Sequence, residues 1–356
     1  MYSVFNNIKV NIYGESHAPE IGVNLLGIPK GEKISIDEVQ KFVDRRKGSN
    51  NPWSTARNEE DKVEILSGLD NGLTNGEEIH ARIQNKDVRS KDYSSIQNTP
   101  RPSHADYAAY LKDGAPVPIP GGGKFSGRMT AAMCIAGGIA KQILKNDDIN
   151  VLAYVTKIGN INAKSYLNEN INIEKAYTYT IPNLDGEAKA QEMVSEIMSA
   201  RDNLDSVGGV IECVVLNMTK GIGDALYDGL EGRIASSIYA IPGVKGVEFG
   251  AGFALASMKG SVANDQFTLN NGKIKLATNN AGGINGGISN GEPIIVRVAI
   301  RPTPSIARQQ NSVDLKTNEI KKIEIKGRHD ACIVPRAIPV VEAAVALAIL
   351  DAKMDK

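Results

Sequence analysis

The order of apolar and polar positions predicts a chain that mixes strands and helices. Ile8, Val10 and Ile12 alternate with polar residues, as they would in a strand with one buried face. Similar runs predict strands at residues 23–28, 63–66, 78–83, 151–155, 207–216 and 292–300. Since strands and helices do not alternate regularly, the pattern favours the α+β class over a doubly wound parallel sheet.

Helices are predicted where apolar residues recur every three or four positions after a capping signal. Ser35 and Glu38 form a capping box at the first of them. Ser103 and Asp106 indicate a second cap, for a helix through Tyr110. Further helices are predicted at residues 130–144, 187–200, 228–240 and 339–352. The last is apolar on nearly every side, so we expect it to be buried.

Glycine pairs mark two places where backbones are expected to approach each other closely. Gly137 and Gly138 lie inside a predicted helix, where each costs roughly 1 kcal/mol relative to alanine. Packing against another backbone would account for that cost. Gly208 and Gly209 lie inside a predicted strand and suggest a bulge or a close approach. Residues 160–183, by contrast, are polar and weakly periodic, which predicts a surface excursion with little chemistry.

The composition is that of an ordinary globular protein. The 41 basic residues equal the 41 acidic ones, so no overall positive charge points to nucleic acid. Cys134, Cys213 and Cys332 show no C-x-x-C spacing, which predicts neither a disulfide framework nor a metal site and suits a reducing compartment. The N-terminus lacks a signal-peptide pattern, and the apolar run at 343–350 is too short to span a bilayer. We therefore expect a cytoplasmic protein that binds neither nucleic acid nor membrane.

Three of the four histidines lie in loop-type segments dense in glycine, proline and charge. The strings are GESHAPE around His17, RPSHADY around His104 and KGRHDACIVPR around His329. A single histidine in a loop is more often a surface residue than a catalyst. Loops on a rigid scaffold are nevertheless where binding and catalysis concentrate, and three such loops favour a functional site.

Two glycine clusters favour an anionic ligand. Residues 121–128 read GGGKFSGR ahead of a predicted helix, and residues 279–291 read NNAGGINGGISNG. Either cluster alone could be a flexible turn, and neither has the spacing of a Walker A loop. Backbone N–H groups in such loops bind anions, above all beside a helix N-terminus. Cations such as Lys124 and Arg128 lie within or beside them, so we expect a large anion held by backbone contacts.

Taken in order, these strings resemble the chorismate synthase family, from Gly14 to about Asp351. The resemblance is also carried by DRR at 44–46, DSVGG at 205–209, VKGVE at 244–248 and GRHD at 327–330. Ordered agreement over many segments is far more specific than one glycine motif. It implies one large α+β domain over residues 1–356, with antiparallel sheets packed around a helical core, and a homotetramer.

The family's reaction is the chemistry that this resemblance implies. Its members convert 5-enolpyruvylshikimate 3-phosphate to chorismate and phosphate by a 1,4-anti elimination, the last common step of the shikimate pathway. The reaction requires reduced FMN, although no net oxidation occurs. Substrate and flavin together bring two phosphates and two carboxylates. A chain of zero net charge must therefore concentrate its cations in one cleft.

The resemblance also implies roles for individual residues. His17 is similar to the histidine that protonates the leaving phosphate, His104 to the one that protonates reduced flavin, and Asp330 to the carboxylate that sets flavin protonation. Flavin contacts carry over to Lys124, Phe125, Ser126, Pro242, Gly243, Gly286, Arg301, Pro302, Thr303, Pro304, Ser305 and Arg328. The candidates for substrate binding are Arg45, Arg101, Arg128 and Arg336, because arginine grips carboxylate and phosphate bidentately. His80 and His329 are interpreted as structural.

Departures from the family pattern bear on the source of electrons. Arg46 matches one of two arginines linked to a nicotinamide cofactor, but Pro52 stands near the place of the other. NADPH would thus bind only if the chain reduces its own flavin, and a separate flavin reductase becomes a candidate partner. Two other classes stay open: a flavin reductase or carrier without lyase activity, and a non-enzymic anion-binding protein.

Overall fold

The computed structural model describes residues 5–48, 51, 54, 60–85, 96–167, 169, 171–325 and 329–355. Within these residues the helices are α1 Ile36–Asp44, α2 Asp106–Asp113, α3 Thr130–Lys145, α4 Glu187–Asp202, α5 Leu230–Tyr239, α6 Gly260–Ala263 and α7 Val334–Lys353. The strands are β1 Lys9–Gly14, β2 Glu20–Leu26, β3 Glu64–Ser67, β4 Leu69–Asp70, β5 Leu73–Thr74, β6 Ile79–Gln84, β7 Asn150–Ile158, β8 Ile161–Asn162, β9 Gly209–Leu216, β10 Val244–Phe249, β11 Phe267–Asn270, β12 Lys273–Leu276, β13 Ile284–Asn285, β14 Ile288–Ser289, β15 Ile294–Ile300, β16 Gln310–Asp314 and β17 Glu319–Ile323.

Two antiparallel sheets enclose the central helices. The first has the strand order β1–β2–β6–β3, and the second β10–β15–β9–β7–β8. Every pairing within them is antiparallel. Helices α3 and α7 pack against each other, α3 also on β2 and β6, and α7 also on β7 and β9. This arrangement confirms the predicted α+β class, with antiparallel sheets around a helical core.

Gly137 lets α3 and α7 pack backbone to backbone. A methyl group built at Gly137 would lie 2.2 Å from the Cβ of Ala343 and 2.4 Å from its Cα. Gly138 faces α1 instead, and the nearest atoms to a methyl there, on Phe42 and Val39, would be 3.3 and 3.5 Å away. The prediction that glycine serves close packing in this helix is therefore confirmed at Gly137.

The predicted C-terminal helix is buried, as expected, but it begins earlier than its apolar pattern indicated. Every residue from 337 to 352 is buried. The helix starts at Val334, and Pro335 fits its first turn because a missing N–H costs nothing there. No helix of the described residues is long and apolar enough to cross a membrane.

The predicted capping box of α1 is confirmed in one of its two halves. The Ser35 hydroxyl accepts a hydrogen bond from the backbone N–H of Glu38, with an N–O distance of 3.3 Å. The Glu38 carboxylate does not reach back; it pairs with Lys41, and Gln142 accepts from the backbone N–H of Ser35.

The second cap prediction was wrong. Ser103 has a φ of +55°, and α2 begins after Ala105, which makes no side-chain cap. Asp106 does not serve the helix terminus because its carboxylate accepts a hydrogen bond from the backbone N–H of Arg101, at 3.0 Å.

The segment at 160–183 is more than a surface excursion. Ile173 and Ile181 are buried, and part of the segment packs on β7. The Tyr177 hydroxyl donates a hydrogen bond to Glu342 of α7, with an O–O distance of 2.9 Å. Only single residues of this segment turn inward, rather than a repeating apolar face. The periodicity of the sequence therefore did not predict these contacts.

Candidate active site

One cleft of about 730 Å³ brings together loops from distant parts of the chain. Its lining comes from the loop after β1, the segments after α1 and before α2, the glycine turn ahead of α3, the α5–β10 connection, the segment after β15 and the start of α7. Cavities of roughly 300–1,000 Å³ are typical of small-molecule sites. All three loop histidines, His17, His104 and His329, reach this cleft.

The glycine turn at 121–123 lies against both His17 and His104. Its three glycines have φ values of 58°, 84° and 51°, a conformation that residues with a Cβ rarely adopt. A methyl group at Gly121 would lie 2.6 Å from Nε2 of His17, and one at Gly122 would lie 3.4 Å from Cε1 of His104. Glycine therefore lets the turn approach the first ring closely and sets both rings beside one short stretch of backbone.

Arg101 lines the cleft, but much of its guanidinium is committed to Asp106. Its Nε donates to Oδ2 and its Nη2 to Oδ1, each over 2.7 Å, and Nη2 also donates to the Ile119 carbonyl over 2.9 Å. The side chain is 2% exposed. Arg101 thus supports the loop that carries His104. The sequence did not indicate this supporting role.

Arg46 and Arg128 share one buried carboxylate in the cleft wall. Arg46 Nη1 lies 3.3 Å from Oδ2 of Asp61, and Arg128 Nη1 contacts the other oxygen. Arg46 also donates to Thr130 Oγ1 over 2.8 Å and to the Gly127 carbonyl over 3.0 Å. Burial is the main reason why the pKa of Arg46 falls to about 10. Two guanidinium groups and one carboxylate leave surplus positive charge, which a bound anion would offset.

Asp330 and Arg336 form an ion pair at the start of α7. Arg336 Nη1 lies 2.6 Å from Oδ2 of Asp330, whose side chain is 10% exposed. Arg336 Nε also donates to the Arg46 carbonyl over 3.0 Å, which joins this pair to the neighbouring cluster. His329, interpreted as structural, lines the cleft beside them, whereas His80 of β6 is not part of the lining.

The segments predicted to hold flavin, 124–126, 242–243 and 301–305, all line the cleft. Arg301 Nε and Thr303 Oγ1 are buried and have no hydrogen-bond partner among the described residues. A buried polar atom without a partner costs roughly 1–3 kcal/mol. A polar ligand in the cleft would satisfy such atoms.

Three predicted residues are not part of the described cleft lining. Arg45 donates to both carboxylate oxygens of Glu342, over 3.0 and 2.6 Å, and lies 4.5 Å from the centroid of the Tyr177 ring. These contacts hold α1 against α7, and the assignment of Arg45 to the substrate stays a prediction. Gly286 lies in the β13–β14 turn, outside the described lining. Arg328 lies outside the described residues.

The lining also includes charged residues that sequence reasoning missed. Lys245 lies in the VKGVE string at 244–248, and its place in that string was the signal that could have identified it. No sequence signal marked Asp61, because its partners Arg46 and Arg128 lie 15 and 67 residues away in the chain. In the described lining, eight cations, Arg46, Lys47, Arg101, Lys124, Arg128, Lys245, Arg301 and Arg336, face two carboxylates, Asp61 and Asp330. The predicted concentration of cations in one cleft is confirmed.

Comparisons with known proteins agree with this arrangement. A family model described as chorismate synthase matches residues 8–354. The chain is 42% identical over 343 residues to a chorismate synthase of Dehalococcoides mccartyi, with 96% of this chain and 94% of the relative covered. It is 44% identical over 345 residues to one of Korarchaeum cryptofilum, with 97% and 95% covered. A crystal structure of chorismate synthase is similar with a TM-score of 0.77 and 27% identity, covering 99% of this chain and 92% of that one. With sequence and fold in agreement over nearly its whole length, the chain belongs to the chorismate synthase family.

Proposed function

We propose that this chain is a carbon–oxygen lyase that converts 5-enolpyruvylshikimate 3-phosphate to chorismate and phosphate, with reduced FMN and no net redox change. The observation that carries the proposal is a strongly cationic cleft in which one glycine turn contacts His17 and approaches His104. Membership of the family supports the choice of substrate.

The charge of the cleft suits this substrate and cofactor. Together they bring two phosphates and two carboxylates. The described lining has eight cations and two carboxylates, and three of the cations, Lys47, Arg101 and Lys124, are paired with carboxylates outside the lining, which leaves a surplus of three positive charges. The proposed substrate-binding residues are Arg45, Arg101, Arg128 and Arg336, and the last three of them line the cleft. Desolvated charges of this kind contribute more to binding than exposed ones.

Three residues would handle protons. His17 donates a proton to the leaving phosphate oxygen, which makes phosphate a better leaving group. His104 holds a proton at the cleft for the cofactor, and Asp330, paired with Arg336, would set the protonation of the cofactor. Histidine suits the first two tasks because its ordinary pKa of about 6.5 permits either protonation state.

The residues present fit a flavin. The segments 124–126, 242–243 and 301–305 would hold it, and the buried Arg301 Nε and Thr303 Oγ1 supply hydrogen-bonding groups for a polar ligand. When bound, reduced FMN would supply electron density to the substrate and accept its hydrogen. Phe125 is 40% exposed in this lining and offers an apolar surface beside the charged groups.

We infer that the reduced flavin comes from a separate reductase. The Arg46 guanidinium already contacts Asp61, Thr130 and Gly127, so these contacts compete with any nucleotide phosphate. Pro52 lies outside the described residues. NADPH would be a cofactor only if the chain reduced its own flavin.

We also propose one cytoplasmic catalytic domain that assembles as a homotetramer. The burial of α3 and α7 does not support the tetramer, because these helices bury each other within one chain. Support comes instead from large apolar side chains on the surface: Phe253, Phe267 and Leu269 are 85%, 80% and 76% exposed. A partner subunit would remove such side chains from water.

An anaerobic incubation tests the proposed function. The protein, reduced FMN and 5-enolpyruvylshikimate 3-phosphate should yield chorismate and phosphate in equal amounts. A matched sample with oxidised FMN and NADPH should yield none. Flavin binding without chorismate would contradict the proposal and favour a flavin carrier, and sustained turnover with oxidised FMN and NADPH would show that the chain reduces its own flavin.

A further inference from the structure

The carboxylate of Asp106 lies at the centre of a buried hydrogen-bond network behind His104. Its Oδ2 accepts from the backbone N–H and the Nε of Arg101, over 3.0 and 2.7 Å. Its Oδ1 accepts from Arg101 Nη2 over 2.7 Å and from the Ile119 backbone N–H over 3.0 Å. Asp106 is fully buried, and His104, 16% exposed, reaches the cleft from this network.

The hydrogen atoms of Arg101 decide which nitrogen of His104 carries the proton. Nδ1 of His104 lies 3.3 Å from Oδ1 of Asp106 and also 3.3 Å from Nη2 of Arg101. Nη2 has two hydrogens. The Asp106 carboxylate and the Ile119 carbonyl lie closer to it, at 2.7 and 2.9 Å, and accept both. No hydrogen of Nη2 is left for His104, so Nδ1 must itself donate to Asp106.

We propose that Asp106 is a positioning residue for His104, fixing the tautomer with a proton on Nδ1 and leaving Nε2 to exchange protons at the cleft. The role of Nε2 in proton transfer rests on the proposed function. The contact between His104 and Asp106 does not. Arg101 serves the same end, because it holds the carboxylate in place. Burial alone would raise the pKa of the Asp106 carboxyl, yet hydrogen bonds from Arg101 and His104 hold that pKa well below its usual range, so the acceptor stays ionised.

The arrangement also explains why Asp106 does not cap α2. One carboxylate cannot serve both the free N–H groups of the helix and the Arg101 side chain. It accepts from Arg101 and Ile119, and its Oδ1 is then correctly placed for His104. The ring thereby gains a fixed orientation, which proton transfer requires of a positioned acid or base.

The first test reads the tautomer directly and needs no substrate. Protein made with histidine labelled with ¹⁵N only at Nδ1 should give four signals in solid-state NMR, one for each histidine. The His104→Ala variant identifies the signal that belongs to His104. At a pH well above about 6.5, the ordinary pKa of histidine, we expect a protonated Nδ1 at His104. An unprotonated Nδ1 would overturn the proposal without any reference to activity.

The second test separates positioning from mere stability. Asp106→Asn should lower kcat by roughly 10²-fold or more in the wild-type protein, because the amide presents its own N–H groups to the network and favours the wrong tautomer. In a His104→Ala background the same substitution should change kcat by less than about threefold, since there is no ring left to orient. An equal loss in both backgrounds would make Asp106 a structural residue only. If no chorismate forms while Nδ1 is protonated, the proposed function fails and the positioning contact stands.

Discussion

Adding one methyl group between α3 and α7 should separate the effect of packing from that of helix propensity. Gly137→Ala and Gly138→Ala are adjacent, lie in the same helix and gain the same propensity, about 1 kcal/mol each. They differ in what the methyl meets. At Gly137 it would lie 2.2 and 2.4 Å from two atoms of Ala343, whereas at Gly138 its nearest neighbour is a side-chain carbon of Phe42 at 3.3 Å.

The size of the effect follows from those distances. Carbon atoms pack at about 3.5–4.0 Å, so a methyl at Gly137 requires the two helices to move apart by roughly 1 Å or more. No rotamer can relieve the contact, because the nearest atoms are the Cβ and the backbone Cα of Ala343. Overpacking a core costs about 1–3 kcal/mol, and a rigid contact belongs at the upper end. After the gain in propensity, we expect Gly137→Ala to lose about 2 kcal/mol and Gly138→Ala to stay within about 1 kcal/mol of wild type.

Urea unfolding at one fixed protein concentration measures this difference, since assembly makes apparent stability depend on concentration. Adding Ala343→Gly to Gly137→Ala removes the nearer of the two atoms but leaves the Cα at 2.4 Å, so rescue should be partial. If Gly137→Ala proved as stable as Gly138→Ala, the close approach of α3 and α7 would not be a determinant of stability.

The remaining predictions concern protons, cofactor and assembly. His17→Ala and His104→Ala should each lower kcat roughly 10²–10⁴-fold with little change in FMN affinity, measured by anaerobic turnover and flavin titration; full turnover by either variant would remove that residue from the mechanism. Burial would raise the pKa of Glu342, but Lys141 and Arg45 lower it from 4.5 to about 2. Its contribution to stability is therefore present above about pH 4.5 and is lost as the pH falls through 2. Wild type should thus lose more unfolding free energy than Glu342→Gln over that interval, by roughly 3 kcal/mol in total, and parallel pH profiles would contradict this. Reduced FMN should bind more tightly with substrate present, by roughly 1–3 kcal/mol, in equilibrium titrations; equal affinities with and without substrate would exclude the coupling. Sedimentation at micromolar concentration should show a tetramer, and a stable 38.1 kDa monomer would refute it.

Local patterns predicted the parts of the fold that depend on neighbouring residues. The buried face of α1, the strands beside the helical core and the close approach at Gly137 follow from periodicity and from the cost of glycine in a helix. Which strands pair with each other was not predicted. The histidine loops were found in the same way, because loop-type sequence around His17 and His104 is itself a local signal. These residues did reach one cleft in the structure.

Contacts between distant residues were not visible in the sequence. Nothing local marks Asp61 as the carboxylate between two arginines, and its pairing depends on how three segments fold together. Arg45 and Arg46 also differ in a way that their shared string did not indicate: Arg46 lines the cleft, whereas Arg45, the residue before it, turns toward Glu342 in the core. Asp106 had the right residue type for a cap and was recruited by Arg101 instead.

We propose that this chain eliminates phosphate with a reduced flavin that is not consumed. The most direct measurement is an anaerobic reaction with substrate in large excess over reduced FMN, in which chorismate, phosphate and the flavin spectrum are followed together. We expect many equivalents of chorismate per flavin, equal amounts of phosphate, and a flavin that is still reduced at the end. No chorismate, or one oxidised flavin for each chorismate formed, would contradict this proposal.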